Sequence, residues 1–338
     1  MSIAAAPSDD DPVRTDILVV SPSTRARDLC GPSDQTLVRI ENALGVTLSP
    51  RGDRIAVTGD GYERDLALKA LRALDDRLEK GLPVELADID AAVRFAQAGA
   101  DTGARQVETP RRVVTARTAA QSAYLEALAA NDLTFGVGPA GTGKTYLAVA
   151  AAVSMLTKRM VDKLVLCRPA VEAGERIGFL PGDMKEKVDP YLRPLYDALA
   201  DMLHAEPLNK AMLDGRIEVA PLAFMRGRTF TRAFVILDEA QNATVGQMKM
   251  FLTRLGEGSR MAVTGDPTQT DLPPRETSGL ADALGLLTGL NGVSVARFSA
   301  ADVVRHPMVA RIVDAYDARE KALRKGPAAV VDNMKPTE

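Results

Sequence analysis

Residues 133–153 read LTFGVGPAGTGKTYLAVAAAV, and this stretch constrains the fold more than any other. An apolar run enters it and an alanine-rich run leaves it. Between them Gly138, Pro139, Ala140, Gly141, Thr142, Gly143, Lys144 and Thr145 satisfy G-x-x-x-x-G-K-[ST] in full. Glycines let backbone N–H groups converge on phosphate oxygens without Cβ obstruction, and the start of the following helix adds partial positive charge. Lys144 is placed to reach the β- and γ-phosphates of a nucleotide, and the Thr145 hydroxyl to ligate Mg²⁺. Such a loop needs a buried strand before it and a helix after it, which demands an α/β layer architecture.

The surrounding sequence agrees. From Thr118 onward, short apolar runs alternate with helix-length segments: LTFGVG, KLVLCRP, RIEVAPL, RAFVILDE, RMAVTGD and GVSVARF. That rhythm predicts a mostly parallel sheet with helices on both faces, spanning 118–323. In such sheets ligands bind beyond the carboxyl ends of the strands.

Two further motifs fall at those ends. ILDEAQN drives an apolar run into Asp238 and Glu239. Adjacent residues at a strand end point in different directions, so Asp238 is expected to hold Mg²⁺ with Thr145, while Glu239 polarises the attacking water as general base. An acidic strand end alone is commonplace; one that accompanies a complete phosphate loop is not. TGDPTQ then places Gln269 where it can hydrogen-bond the γ-phosphate or its water and pass hydrolysis on to the next loop. A GTPase would show a base-reading Asn-Lys-x-Asp; here the Asn209-Lys210 pair is followed by Ala211-Met212. A water-activating glutamate also argues against a small-molecule kinase.

Upstream, residues 1–14 are small, acidic and expected to be disordered. The segment 15–81 reads as strand, helix, hairpin, helix, a small α+β unit. Its strand starts near Asp16. Ser33 or Asp34 is expected to cap a helix whose Leu37, Ile40 and Leu44 share a face, and Pro50 to Asp53 form the hairpin turn. Residues 82–117 form a helical and then basic linker or ribbon carrying Arg105, Arg111, Arg112 and Arg117, and 324–338 form a flexible tail.

Composition excludes several classes. Forty-two basic residues against 45 acidic give a net charge of -3, so no global field advertises nucleic acid or an anionic surface. Aromatics are 4% and tryptophan is absent, which makes an aromatic base-stacking platform a poor prospect. Cys30 and Cys167 lie far apart and read as reduced thiols. His204 and His306 have no Cys or His at zinc-ligand spacing. No apolar run approaches the ~20 residues of a membrane span, and MSIAAAPSDDDPVRTD is no signal peptide, so a cytoplasmic protein is expected.

The order Gln121, GPAGTGKT, ILDEAQN, TGDPTQ resembles superfamily 1 helicase ATPase cores. With LCRPAVEAGERIGFLPGDMKEKVDPYLRPLYDAL and DVVRHPMVARIV, it resembles the PhoH family more specifically, over about residues 16 to 320. The resemblance implies a RecA-like P-loop NTPase domain preceded by a KH-like domain. It implies that Gln121 reads adenine, so that the nucleotide is ATP, and that Arg305, in VVRHP, is an arginine finger; Arg168 is a second candidate. It also implies single-stranded or ribosomal RNA as a partner, with an endoribonuclease partner doing any cutting. One departure stands out. An RNA-clamping KH loop reads G-x-x-G, whereas this segment is Gly31-Pro32-Ser33-Asp34, with an acid where the second glycine belongs. A carboxylate there repels a phosphate backbone, and the unit is then suited to a protein partner instead.

A superfamily 1 core binds ATP between two RecA-like domains, and one such domain is legible here. Head-to-tail assembly, a hexameric ring in the preferred form, is therefore expected, with Arg305 or Arg168 reaching a neighbour's site. The leading functional expectation is an ATPase whose cycle drives RNA remodelling or unwinding. The basic 105–117 segment supports it, with Lys185 and Lys187 as weaker evidence because acids are interleaved with them. The alternative is a nucleotide-switched scaffold that binds a protein partner without motor activity.

Overall fold

The computed structural model describes residues 14–99, 104–169, 184–273 and 275–304, with 308, 312 and 319, and gives the backbone alone for 184–189. Of the segment 1–14 expected to be disordered, Arg14 begins a strand and the rest lies outside the described residues, as do the tail 324–338, Arg305, and the Lys185 and Lys187 side chains.

The first unit is built from β1 (Arg14–Val19), α1 (Ser23–Cys30), α2 (Gln35–Leu44), β2 (Thr47–Arg51), β3 (Arg54–Gly59), α3 (Gly61–Glu79) and α4 (Leu86–Gln97). Its strands form an antiparallel sheet in the order β1-β3-β2. Alternation decides which face is covered: Leu18, Leu48, Ile55 and Val57 point into the helices, while Ile17 and Val19 face solvent. Helix α1 was not expected, because STRARDLC buries little more than Ala26, Leu29 and Cys30 and so carries too few apolar positions for a helical period. The capping expectation also needs correction. Asp34 does precede α2, but its backbone is left-handed (φ 56°, ψ 24°) and its side chain makes no cap hydrogen bond. A side-chain cap needs an extended backbone at that position. Helix α4 packs Ile89, Ala92, Val93 and Ala96 into the same core as α2 and α3.

A short hairpin follows, β4 (Gln106–Glu108) against β5 (Val113–Thr115). The larger unit then runs α5 (Ala119–Ala130), β6 (Leu133–Val137), α6 (Lys144–Thr157), β7 (Lys163–Arg168), α7 (Met184–Met202), α8 (Ala205–Leu213), β8 (Ile217–Pro221), β9 (Ala233–Leu237), α9 (Val245–Leu252), β10 (Arg260–Gly265), α10 (Gly279–Leu287) and β11 (Val293–Arg297). All six apolar runs of the sequence are strands of one parallel sheet, ordered β11-β6-β10-β9-β7-β8. The fold is α/β and of the P-loop NTPase type.

Successive strand residues feed opposite faces. Leu164, Leu166, Phe234 and Ile236 join the core under α5, α6, α7 and α8. Val165, Cys167, Val235 and Leu237 join the core under α9 and α10. Burial on both faces is why these strands read as unbroken apolar runs. Helix α6 is crowded by the sheet and by α5 and α7, and its run of Ala148, Ala150, Ala151 and Ala152 keeps that approach close.

Strand order sets the site. The chain leaves β6, returns at β7 beyond β10 and β9, and later places β11 on the other flank of β6. The carboxyl end of β6 therefore lies at a switch in winding direction, where open α/β sheets form a crevice.

Candidate nucleotide site

Register brings the three motifs together. Val137 pairs with Gly265 across β6 and β10, and Leu237 pairs with Val263 across β10 and β9. Phosphate loop, Gly265-Asp266 and Asp238-Glu239 thus emerge side by side. The loop is stitched to its surroundings through backbone groups: Gly138 donates to the Gly265 carbonyl (3.1 Å), and Val304 donates to that of Gly141 (3.1 Å). Gly138, Gly141 and Gly143 have φ of 143°, 83° and 80°, where side chains are strained. At Gly138 a Cβ would also meet the Phe298 carbonyl at 2.3 Å.

Lys144 opens α6 and is buried. Its ammonium donates to the carbonyls of Gly138 (2.6 Å) and Pro139 (2.7 Å) and to the Thr142 hydroxyl (3.3 Å). Burial pushes its pKa down, against the upward pull of Asp266, Glu239 and Asp238. Beside it the Thr145 hydroxyl donates to Asp238 Oδ1 at 2.6 Å, and Thr264, one residue before the β10 end, donates to the same oxygen at 2.8 Å. Among the described residues no three acidic, histidine or cysteine side chains gather into a metal cage. A hydroxyl and a carboxylate in contact nevertheless fit Mg²⁺, which retains waters and takes its remaining ligands from substrate phosphates.

Glu239 stands at a strained strand end, with a left-handed backbone (φ 50°, ψ 41°). Both its carboxylate oxygens are engaged: Oε1 by Arg168 Nη2 at 3.3 Å, Oε2 by Gln241 Nε2 at 2.5 Å. Gln241 is buried and its other end accepts from the Asp266 N–H (3.0 Å), so one side chain joins the β9 and β10 ends. Arg168 also donates to the Tyr191 carbonyl of α7 (3.1 Å). It therefore lines this chain's own site: β7 lies beside β9, and the strand order places the two ends together.

Gln269 is exposed and donates to Asp266 Oδ2 (2.7 Å), on the rim of a cleft of about 270 Å³ that Ala140, Lys144, Thr145, Asp238 and Glu239 also line. Gln121 is buried. It accepts from the Arg117 N–H (2.7 Å) and donates to the Thr142 carbonyl (3.0 Å), so it braces the loop from behind.

The basic hairpin lies against the larger unit with Arg111 and Arg112 exposed on it. Arg111 donates through its N–H to the Met202 carbonyl and through Nη1 to that of Ala200, at the end of α7. Arg112 donates to the Tyr146 hydroxyl (3.0 Å) and approaches Asp201 (3.5 Å). These two arginines hold the hairpin on α6 and α7. Sequence reading missed Thr264, Tyr146 and this docking. Thr264 could have been found, since it sits two residues from Asp266 in an alternating strand; the others depend on strand order.

The family model for PhoH-like proteins matches residues 113–317. A PhoH-like protein of Bacillus subtilis is 48% identical over 299 residues, covering 86% of this chain and 94% of that one. One from Mycobacterium leprae is 46% identical, covering 87% and 86%. Protein PhoH of Escherichia coli K12 is 47% identical over 205 residues, 60% of this chain and 58% of that one. Among solved structures, a Sulfolobus solfataricus SWI2/SNF2 ATPase core in complex with double-stranded DNA overlaps 48% of this chain and 33% of its own at 14% identity and a TM-score of 0.31, too loosely to bear on the site. No helix among the described residues is long and apolar enough to cross a membrane.

Proposed function

The chain belongs to the PhoH-like protein family, and from that membership and the contact between Thr145 and Asp238 we propose that it binds ATP with Mg²⁺ and hydrolyses it. The observation that carries the proposal is the meeting, at one crevice, of a buried lysine on a glycine loop, a hydroxyl–carboxylate pair and a second carboxylate.

In this mechanism the backbone N–H groups of 140–145 wrap the phosphates. Lys144 exchanges its bonds to the Gly138 and Pro139 carbonyls for phosphate oxygens. Thr145 and Asp238 would hold Mg²⁺, which would supply charge neutralisation for the phosphates. Glu239 orients the attacking water and accepts its proton. Gln269 carries the state of the γ-phosphate into the loop that follows β10, and Gln121 favours adenine.

Work on RNA is the further part of the proposal, with ring assembly supplying Arg305 in trans. The turn at Gly31-Pro32-Ser33-Asp34 and the docked state of Arg111 and Arg112 favour a second reading, a nucleotide-switched scaffold for a protein partner such as an endoribonuclease. An ATPase assay with and without single-stranded RNA, at several protein concentrations, separates them on wild type, Lys144→Ala and Glu239→Gln. Lys144→Ala should lose binding or turnover, and Glu239→Gln should bind ATP and barely hydrolyse it. Unchanged turnover in Glu239→Gln removes the general base. RNA-stimulated turnover supports the first reading, RNA-indifferent slow turnover the second, and full turnover by a dilute monomer rules out the arginine in trans.

A further inference from the structure

The crevice does not end at the phosphate loop. Gly141, Gly143 and Tyr146, which line the cleft beside Lys144, also line a second hollow of about 560 Å³ that touches neither Asp238 nor Glu239. Gln121 and Val114 of the larger unit form part of its lining, and the turn between α3 and α4, with Leu82 and Pro83, closes it from the first unit. That wall is fixed in place. Arg77 of α3 donates to the Pro83 carbonyl (2.8 Å) and to the Thr115 hydroxyl (3.0 Å), and Arg94 of α4 donates to the Arg117 carbonyl (3.3 Å). Phe95 of α4 is buried in the larger unit's core with Val114 and Ala116.

Geometry limits what this hollow can receive. A triphosphate laid along Gly138 to Thr145, with its γ end toward Asp238 and Glu239, must send its ribose and base out at the opposite end. Gly141, Gly143 and Tyr146 border both the cleft at Asp238 and Glu239 and the hollow, so the hollow is the neighbouring space into which the chain of phosphates can lead. Its volume falls within the ~300–1,000 Å³ of small-ligand pockets. Leu82, Pro83 and Val114 offer apolar surface for the flat face of a base. Gln121 keeps one N–H and one lone pair after its bonds to Thr142 and Arg117, enough to meet a purine edge. We infer that the nucleoside half of the nucleotide lodges between the two units, with the 82–83 turn of the first unit as one wall of the site. This rests on the ATP-binding reading above. Its consequence is that the first unit takes part in nucleotide binding, so anything that shifts that unit changes affinity for ATP.

The chain has no tryptophan, so Leu82→Trp introduces a single indole, at the wall, that can be excited apart from the tyrosines. Mg-ATP and Mg-tripolyphosphate are each titrated into wild type, Leu82→Trp and Pro83→Trp, followed by calorimetry and by indole emission, with thermal melting as the check on folding. Both variants should bind ATP about tenfold or more weakly than wild type and bind tripolyphosphate as wild type does. Indole emission should change with ATP and stay constant with tripolyphosphate. Unchanged ATP affinity with silent emission overturns the inference. So does equal loss of both ligands in variants that melt like wild type, since the turn would then act on the phosphate loop. Wild type that binds neither ligand fails the ATP reading itself.

Discussion

Arg168 and Glu239 meet at the ends of neighbouring parallel strands, Nη2 to Oε1 at 3.3 Å, while the same guanidinium holds the Tyr191 carbonyl of α7. One fork thus ties the proposed base to the helix across the cleft. Both Arg168→Ala and Arg168→Lys are expected to lower kcat about tenfold or more with KM for ATP little changed, because a lysine ammonium cannot reproduce a fork fixed in one plane. Steady-state kinetics checks this; wild-type kcat in Arg168→Ala would remove Arg168 from the machinery.

Asp238 accepts from both Thr145 and Thr264. Asp238→Asn keeps the shape and deletes the charge. Turnover should fall by roughly a hundredfold or more, the Mg²⁺ concentration for half-maximal rate should rise, and chelation with EDTA should abolish wild-type turnover. A Mg²⁺ titration of both proteins reads the shift, and an unmoved midpoint would place the metal elsewhere.

Gly138 has no space for a side chain. In Gly138→Ala the Cβ faces the Phe298 carbonyl at 2.3 Å with φ at 143°, so either the loop or the β11 end must move. Unfolding should show a loss of about 2 kcal/mol or more, together with weakened ATP binding. Gly285→Ala, inside α10 where nothing lies within 4 Å of the added Cβ, should raise stability by about 0.5–1 kcal/mol, leave ATP binding unchanged and serve as the control.

Glu218 on β8 receives two 2.7 Å bonds from Arg228 and one contact of 2.8 Å from Lys163, and this holds its pKa down at about 2, chiefly through Arg228. A depressed carboxylate pKa stabilises the fold fully above the unfolded value of ~4.3. That contribution is lost as pH falls through about 2. Glu218→Gln should therefore be less stable than wild type by on the order of 2 kcal/mol near neutrality, and the gap should narrow below pH 4. Melting curves from pH 7 to pH 3 test it; a gap independent of pH would assign the effect to packing.

The large sheet was legible because its strands are buried on both faces, so each announced itself as an apolar run, and the loop after β6 carried a complete motif. What periodicity cannot give is strand order. Arg168 reads from sequence as a candidate arginine finger at a strand end; only β7 lying beside β9 reveals that it meets Glu239. Arg111 and Arg112 read as a basic patch; that they also hold the end of α7 is visible only in the fold. Helix α1 escaped because it is polar and short, held by its neighbours more than by its own pattern. Gln121 is legible as a motif residue, but only the structure shows that its amide hydrogen-bonds Arg117 and Thr142 and braces the loop.

Phe95 lies in α4 but is buried against Val114 and Ala116. A fragment begun at residue 118, where the sequence rhythm changes, would lose Phe95, Val114 and Ala116 together and bare the core they cover. Excision from residue 104 keeps the hairpin but still loses Phe95, so the larger unit should be sticky when expressed alone. The shortest well-behaved piece of this protein is set by one phenylalanine that crosses the seam, and it begins upstream of α4.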